Sequence, residues 1–206
     1  MERIAVIGCG GSGKTTLSHR LGDLLELPVI HIDDQYWREV DGARLESTPE
    51  QWRQRHRELV ARDQWVIDGM KLGVLEERLA AASAVIFLDL PAVVCLSGIA
   101  RRWVRFRGRD RPELGVYVSV SWEFVRWVCS FRRRHRPRVL ELLGGYGGHV
   151  VVLRRRRDVR RFVDQIGRRR SPSGRSAAPA SHDRASTLPS SIVNVPPANG
   201  VGRSST

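Results

Sequence analysis

The segment that most constrains the fold is GCGGSGKT, Gly8 to Thr15, directly after the apolar run Ile4 to Ile7. Its glycines satisfy the dinucleotide-binding pattern Gly-x-Gly-x-x-Gly, and the pair Asp33-Asp34 lies about 20 residues further on, where such folds hold a ribose. The same letters satisfy the P-loop pattern. Lys14 decides between them, because a P-loop needs a lysine after its last glycine, where a dinucleotide fold usually carries a small or apolar residue. We therefore interpret the segment as a P-loop.

A P-loop at this position predicts a nucleotide-phosphate site. Backbone N–H groups of the loop and the N-terminus of the following helix face the phosphates, and Lys14 reaches the β- and γ-phosphates. Thr15 supplies a hydroxyl to Mg²⁺. ATP and Mg²⁺ are therefore the expected cofactors. The predicted nucleotide contacts are Gly8, Cys9, Gly10, Gly11, Ser12, Gly13, Lys14, Thr15 and Thr16.

Apolar strand patterns alternate with helical patterns along the first 166 residues. The clearest helix start is Thr48-Pro49-Glu50-Gln51, which has a cap, a proline at the first helical position and a capping-box glutamine. This alternation predicts an α/β fold with a parallel sheet covered by helices on both faces. The predicted strands are Ile4–Ile7, Pro28–Ile32, Trp65–Asp68, Ala84–Asp89 and His149–Leu153.

Carboxylates follow three of these strands, at the sheet edge where parallel α/β folds bind ligands. Asp33 or Asp34 is a candidate base for an acceptor hydroxyl, with a turn cap as the alternative. Asp68, in WVIDG, is the candidate Mg²⁺-side carboxylate, acting through a bound water. Asp89 ends the fourth strand in a similar way but precedes a proline turn, so it is the weaker candidate.

An arginine-rich stretch follows the fourth strand. Residues 101–120, with Gly108 as a hinge, are predicted to form a lid whose cations stabilise charge in a phosphoryl-transfer transition state. The candidate residues are Arg101, Arg105 and Arg107. A solvated basic helix or an RNA-facing patch is the alternative.

Charge and composition divide the chain in two. The net charge is +13, and Lys14 and Lys71 are the only lysines, so arginine dominates and anionic partners are expected. Residues 167–206 contain no aromatic residue and are rich in Ser, Pro, Ala and Gly. They carry six arginines against one aspartate. We predict a kinase-like domain over residues 1–166 and a disordered basic tail over 167–206 that binds nucleic acid weakly and non-specifically.

The remaining composition argues for a cytoplasmic protein. The cysteines Cys9, Cys95 and Cys129 are odd in number and widely spaced, which disfavours a disulfide framework and a zinc site. The stretch from Ala80 to Ala100 lacks Lys and Arg, but Asp89 in its middle divides it into a strand and a helix. No membrane span is expected.

The order of the segments resembles the adenylate-kinase-like P-loop kinases, and within them the small bacterial DNA topology modulation proteins. The segments that carry the resemblance are the P-loop, HIDDQYW, WVIDG, AVIFLDLP, the arginine-rich stretch, SWEFVRWV and RPRVLELL. The resemblance spans residues 1 to about 166 and implies strand order 2-3-1-4-5, ATP with Mg²⁺ and a lid after the fourth strand. It also implies that the carboxylate of its H-x-D segment is Asp33 rather than Asp34.

One departure bears on the acceptor. Adenylate kinases continue after Asp-Gly with Phe-Pro-Arg-Thr, whereas this chain has Met70-Lys71-Leu72. The arginine that would grip a monophosphate is missing there, which disfavours AMP. The expected activity is transfer of the ATP γ-phosphate to a nucleoside, nucleotide or similar hydroxyl compound. The alternatives are an ATP-binding regulator associated with nucleic acid and a nucleotide-binding pseudokinase without chemistry.

Overall fold

The structure is a computed structural model that describes residues 2–35, 37–40, 43–106 and 121–170. The strands are Arg3–Gly8 (β1), Val29–His31 (β2), Trp37–Val40 (β3), Ala43–Glu46 (β4), Trp65–Asp68 (β5), Ala84–Leu88 (β6) and His149–Leu153 (β7). The helices are Lys14–Leu25 (α1), Ile32–Gln35 (α2), Pro49–Val60 (α3), Leu75–Ala81 (α4), Ala92–Phe106 (α5), Trp122–Arg134 (α6), Arg136–Gly144 (α7) and Arg156–Arg170 (α8). A 3-10 turn, Leu72–Val74, precedes α4.

Five parallel strands form the central sheet in the order β2-β5-β1-β6-β7. Counted along the sheet-forming strands, this is the predicted order 2-3-1-4-5, and the predicted fold class is confirmed. Because the chain crosses from β1 to an outer strand and back, the sheet has a switch point beside β1, where α/β folds bind ligands.

Both faces of the sheet are covered, which explains why its strands are apolar throughout rather than alternating. Ile4 and Val6 of β1 pack with Leu21 and Phe162, so α1 and α8 cover one face. Ala5 and Ile7 point the other way, into a core shared with α3 to α7. The P-loop leaves the middle of the sheet between these two layers.

Helix α3 begins as the sequence predicts. The Thr48 hydroxyl accepts from the Gln51 N–H at 3.3 Å, and the Gln51 side chain accepts from the Thr48 N–H at 3.2 Å. This reciprocal pair satisfies two donors that the helix cannot pair internally. The helix ends at Val60 and buries Trp52, His56 and Leu59 among other residues.

The structure differs from the sequence interpretation near the acidic pair. Strand β2 ends at His31, and Ile32–Gln35 form the short helix α2 instead of an extension of the strand. An antiparallel hairpin, β3 with β4, follows and was not predicted. Its segment WREV-DG-ARLE alternates too weakly between apolar and polar residues to identify two strands.

Two further observations bear on the boundaries. Helix α8 continues through the predicted domain end at Ile166 to Arg170, and residues 171–206 of the predicted tail lie outside the described residues. Within the described residues, no helix is both long enough and apolar enough to cross a membrane.

Candidate functional site

The P-loop connects β1 to α1 with the backbone conformation that its glycines allow. Gly11 has φ +75°, and a Cβ at this position would collide with the carbonyl oxygen of Cys95 on α5. Gly13 has φ +95° and caps α1 without a side-chain hydrogen bond. Gly13 has no side chain that could accept a hydrogen bond from the first N–H groups of α1. These N–H groups lie at the positive end of the helix dipole.

The polar side chains of the loop fit an anionic ligand. The Lys14 ammonium donates to the Cys9 carbonyl at 2.9 Å, across the loop. The Ser12 hydroxyl is buried and has no hydrogen-bond partner in the described part of the chain. A phosphate oxygen would satisfy such a hydroxyl, because buried polar groups are normally hydrogen-bonded. Thr15 is half-buried and Thr16 is exposed.

Cys9 lies in the loop but is not a nucleophile. Its hydrogen bond with Cys95, together with burial, raises the pKa of the Cys9 thiol above its ordinary value. A thiol that stays protonated at neutral pH is unreactive. The predicted contact of Cys9 with the nucleotide would therefore come from its backbone and not from its thiol.

Helix α6 covers the outer side of the loop. A Cβ on Gly10 would lie 2.5 Å from the Phe124 ring. Phe124 stacks on Trp127, with ring centroids 6.0 Å apart and planes 13° apart. Their spacing of three residues puts both on one helix face. Sequence reasoning used SWEFVRWV only as part of a resemblance and did not identify this contact, although the aromatic spacing was visible.

Asp68 lies at the carboxyl end of β5 and is almost completely buried. The Nδ1 atom of His31 on the neighbouring strand lies 3.0 Å from its Oδ2 atom. Asp68 therefore stands at the predicted sheet edge, with a partner that sequence reasoning did not assign.

Arg78 is a second residue that the sequence did not single out. It is fully buried, and its Nη1 donates to the Gly69 carbonyl at 3.2 Å. Burial lowers the pKa of Arg78 to about 10, while the charges of Asp68 and Asp33 oppose this shift. Its Nε and Nη2 atoms have no hydrogen-bond partner among the described residues. Arg78 thus places a positive charge beneath the acidic edge of the site.

Asp33 is exposed and is the second residue of α2, two positions after the end of β2. Because β2 ends at His31, His31 and Asp33 do not share one face of an extended strand. The Asp34 side chain, Tyr36 and the Trp37 side chain lie outside what the structure describes. The choice of Asp33 as base therefore stays a prediction.

Two arginines lie against the Asp89 carboxylate. Arg136 on α7 donates to both of its carboxylate oxygens at 2.8 Å, and Arg154 approaches to 3.8 Å. The hydrogen bond to Asp89 raises the pKa of Arg136. The two-pronged guanidinium uses one lone pair on each oxygen and fixes the orientation of the buried carboxylate. Asp89 therefore joins α7 to the end of β6 through an ion pair.

The arginines of the predicted lid are only partly described. Arg101 and Arg105 are exposed on α5, and the Arg105 guanidinium lies 5.7 Å from the centroid of the Phe106 ring. Arg107 and the rest of the lid to residue 120 lie outside the described residues. The action of Arg101, Arg105 and Arg107 on the phosphates stays a prediction.

In the described residues, no group of three or more His, Cys, Asp and Glu side chains could hold a metal ion. Mg²⁺ at a nucleotide site usually keeps several waters and is bound through one or two protein oxygens plus substrate phosphates. Thr15 and Asp68 are the residues of the predicted site that could supply those oxygens.

Comparisons with known proteins test the fold. No family model and no curated protein match the sequence. Among solved structures, shikimate kinase from Acinetobacter baumannii is 19% identical, with a TM-score of 0.50 over 81% of this chain and 90% of that one. A shikimate kinase from Bacteroides thetaiotaomicron (14% identity, TM-score 0.47, coverage 81% and 96%) and a gluconokinase from Sinorhizobium meliloti (15%, 0.45, 81% and 94%) also match. At these identities the likeness concerns the fold alone. The chain therefore has the fold of the P-loop kinases.

Proposed function

We propose that this protein is an ATP- and Mg²⁺-dependent phosphotransferase that acts on a small molecule. The observation that carries the proposal is the phosphate cradle at the switch point of the sheet. There, Lys14 and the Ser12 hydroxyl, which has no hydrogen-bond partner among the described residues, lie at the N-terminus of α1. Asp68 lies on β5, the strand beside β1. These are the parts that γ-phosphoryl transfer needs on the nucleotide side.

On the nucleotide side, the loop N–H groups and Lys14 bind the phosphates. The Ser12 hydroxyl donates a hydrogen bond to a phosphate oxygen. Bound Mg²⁺ would neutralise charge on the β- and γ-phosphates. The Thr15 hydroxyl would hold it directly and Asp68 through a water. Arg78 stabilises this edge of the sheet by donating a hydrogen bond to the Gly69 carbonyl oxygen.

On the acceptor side, we propose Asp33 as the base that accepts the proton of an acceptor hydroxyl. Arg101, Arg105 and Arg107 are proposed to stabilise the charge of the transferring phosphoryl group. Met70-Lys71-Leu72 offers no arginine after Asp68-Gly69. A hydroxyl compound such as a nucleoside is therefore favoured over AMP as the acceptor.

The test is calorimetric titration with ATP in the presence of Mg²⁺, followed by turnover assays over nucleosides, nucleotides and small alcohols. Lys14→Ala should bind ATP at least about tenfold more weakly than the wild type, since a charge-assisted hydrogen bond is worth about 1.5–3 kcal/mol. Arg53→Ala removes a positive charge from the exposed face of α3 and is the matched control. Equal ATP affinity in all three proteins would overturn the P-loop assignment.

The likeness to DNA topology modulation proteins rests on motif order and remains part of the proposal. The nucleic-acid-binding alternative is supported by exposed arginines on α6, namely Arg132, Arg133 and Arg134. Duplex DNA retention with a steep salt dependence, together with no ATP consumption over the acceptor panel, would favour the regulatory alternative over the kinase.

A further inference from the structure

His31 is joined to Asp68 by the register of the sheet. It is the last residue of β2, and it pairs directly with Asp68, the last residue of β5. Its Nδ1 atom lies 3.0 Å from Asp68 Oδ2. The His31 side chain is 14% exposed and that of Asp68 is 5% exposed, so water competes little for this bond.

The direction of the hydrogen bond follows from chemistry. An ionised carboxylate only accepts, so Nδ1 of His31 carries the proton and donates it. The opposite ring nitrogen of His31, Nε2, lies 3.2 Å from Nε2 of His19 on α1. The imidazole is therefore held at both ends, and a second partner fixes its orientation toward the carboxylate.

Asp68 is consequently held on two sides. His31 engages Oδ2, and Arg78 holds the carbonyl of the following residue, Gly69. The His31 contact is with Oδ2 and not with the other carboxylate oxygen, Oδ1. A carboxylate that acts through a metal-bound water needs such a fixed orientation, because outer partners orient the groups that hold a metal.

We infer that His31 is a positioning residue that orients the Asp68 carboxylate toward the water shell of nucleotide-bound Mg²⁺. The inference rests on the proposed function, since it assigns a residue to the same phosphate site. His31 itself contacts neither metal nor substrate. Its contribution is the donor at the Nδ1 position, which distinguishes it from a residue that only fills space.

Two variants separate the donor from the rest of the ring. His31→Asn places an amide N–H at the Nδ1 position, and His31→Gln places it at the Nε2 position. Calorimetry would measure ATP affinity with Mg²⁺ and with EDTA. We expect His31→Gln to lose the Mg²⁺-dependent gain by about 10- to 100-fold, with ATP affinity in EDTA unchanged. His31→Asn should retain most of that gain.

The control is His149→Ala, which removes a half-buried histidine from the start of β7, at the opposite ends of the strands. Thermal melting of every variant checks folding. Equal Mg²⁺ dependence in His31→Asn, His31→Gln and the wild type would overturn the inference alone. Equal losses in both variants would also overturn it, because the Nδ1 donor would then be irrelevant. A wild-type protein that binds no ATP would overturn the proposed function first.

Discussion

His56 is shielded from water, and its pKa is shifted as a result. It is fully buried on α3, and neither ring nitrogen has a hydrogen-bond partner among the described residues. Glu77 approaches only to 3.8 Å, beyond hydrogen-bond distance. Burial, and then the charge of Arg78, lower the pKa of His56 from 6.5 to about 4, against the opposing effect of Glu77. His56 is therefore neutral in the folded protein at neutral pH.

The lowered pKa of His56 predicts that the free energy of unfolding depends on pH. Below about pH 6.5 the unfolded chain binds a proton at His56 that the folded chain does not bind until about pH 4. The free energy of unfolding should therefore fall as pH decreases through this window, by up to about 3 kcal/mol, and His56 should add no pH dependence above it. Urea unfolding at pH 7 and pH 5 measures the effect. His56→Gln should show a shallower fall than the wild type, and an equal fall would contradict the assignment.

Asp33 gives a catalytic prediction at the same scale. Asp33→Asn should reduce turnover by about 10²- to 10⁴-fold, because the acceptor proton loses its base, while ATP affinity stays nearly unchanged. Asp63→Asn removes a carboxylate from the exposed loop before β5 and serves as the charge-matched control. Full activity in Asp33→Asn with loss in Asp34→Asn would move the assignment by one residue. Full activity in both would reduce the pair to a turn cap.

At the scale of elements, an ion pair joins the end of β6 to the start of α7. Asp89 follows β6 and is 1% exposed, and Arg136 near the start of α7 binds both of its oxygens. This pair ties a helix to the sheet near the P-loop. Removing one partner from a buried pair leaves an unpaired charge, which costs more than the pair itself contributes.

Arg136→Ala should therefore lower the free energy of unfolding by about 2–3 kcal/mol. This is less than the 3–5 kcal/mol of a completely buried pair, because Arg154 also lies near Asp89. Arg138→Ala on the same helix is the matched control. Arg138 is exposed and pairs with Glu141 within α7, so its loss should cost less than about 0.5 kcal/mol. Similar unfolding midpoints in urea for the two variants would contradict the prediction.

The elements that could be predicted from sequence are those specified locally. The P-loop, the α3 capping box and the apolar strands each depend on residues within a few positions of one another. The end of β2 at His31 and the hairpin β3–β4 depend on tertiary context, which overrides weak local preference. The roles of Arg78 and His31 could not be predicted for the same reason. The arginine in EERL and the histidine in VIH become partners of the site only after β2, β5 and α4 assemble.

At the scale of the whole molecule, the charge is carried unevenly. Helix α8 has many exposed arginines and buries Phe162, Val163 and Ile166 against α1 and the sheet. Gly167 lies beside Leu24, so the helix is still in contact with the core beyond the predicted end of the domain. The C-terminal boundary of the folded unit is therefore testable by truncation.

Two truncations should behave differently. Removal of residues 171–206 should leave the melting temperature and ATP turnover nearly unchanged and reduce DNA retention in low salt, because that segment adds net positive charge, contains no aromatic residue and has few large apolar ones. Removal of residues 167–206 should also lower the melting temperature, because it deletes the last turn of α8. Differential scanning calorimetry of the three proteins provides the measurement. A large destabilisation by the shorter truncation would show that residues 171–206 pack on the domain.

The contacts of the P-loop limit how this protein can be redesigned or can diverge. Gly11 abuts the backbone of α5, and Gly10 abuts the Phe124 ring of α6, more than a hundred positions later in the chain. The P-loop of another nucleotide-binding protein therefore cannot replace this loop without changes in α5 or α6. A graft that replaced either glycine would need a smaller residue at position 124 or a displaced α5. In natural relatives, positions 10 and 124 should accordingly change together.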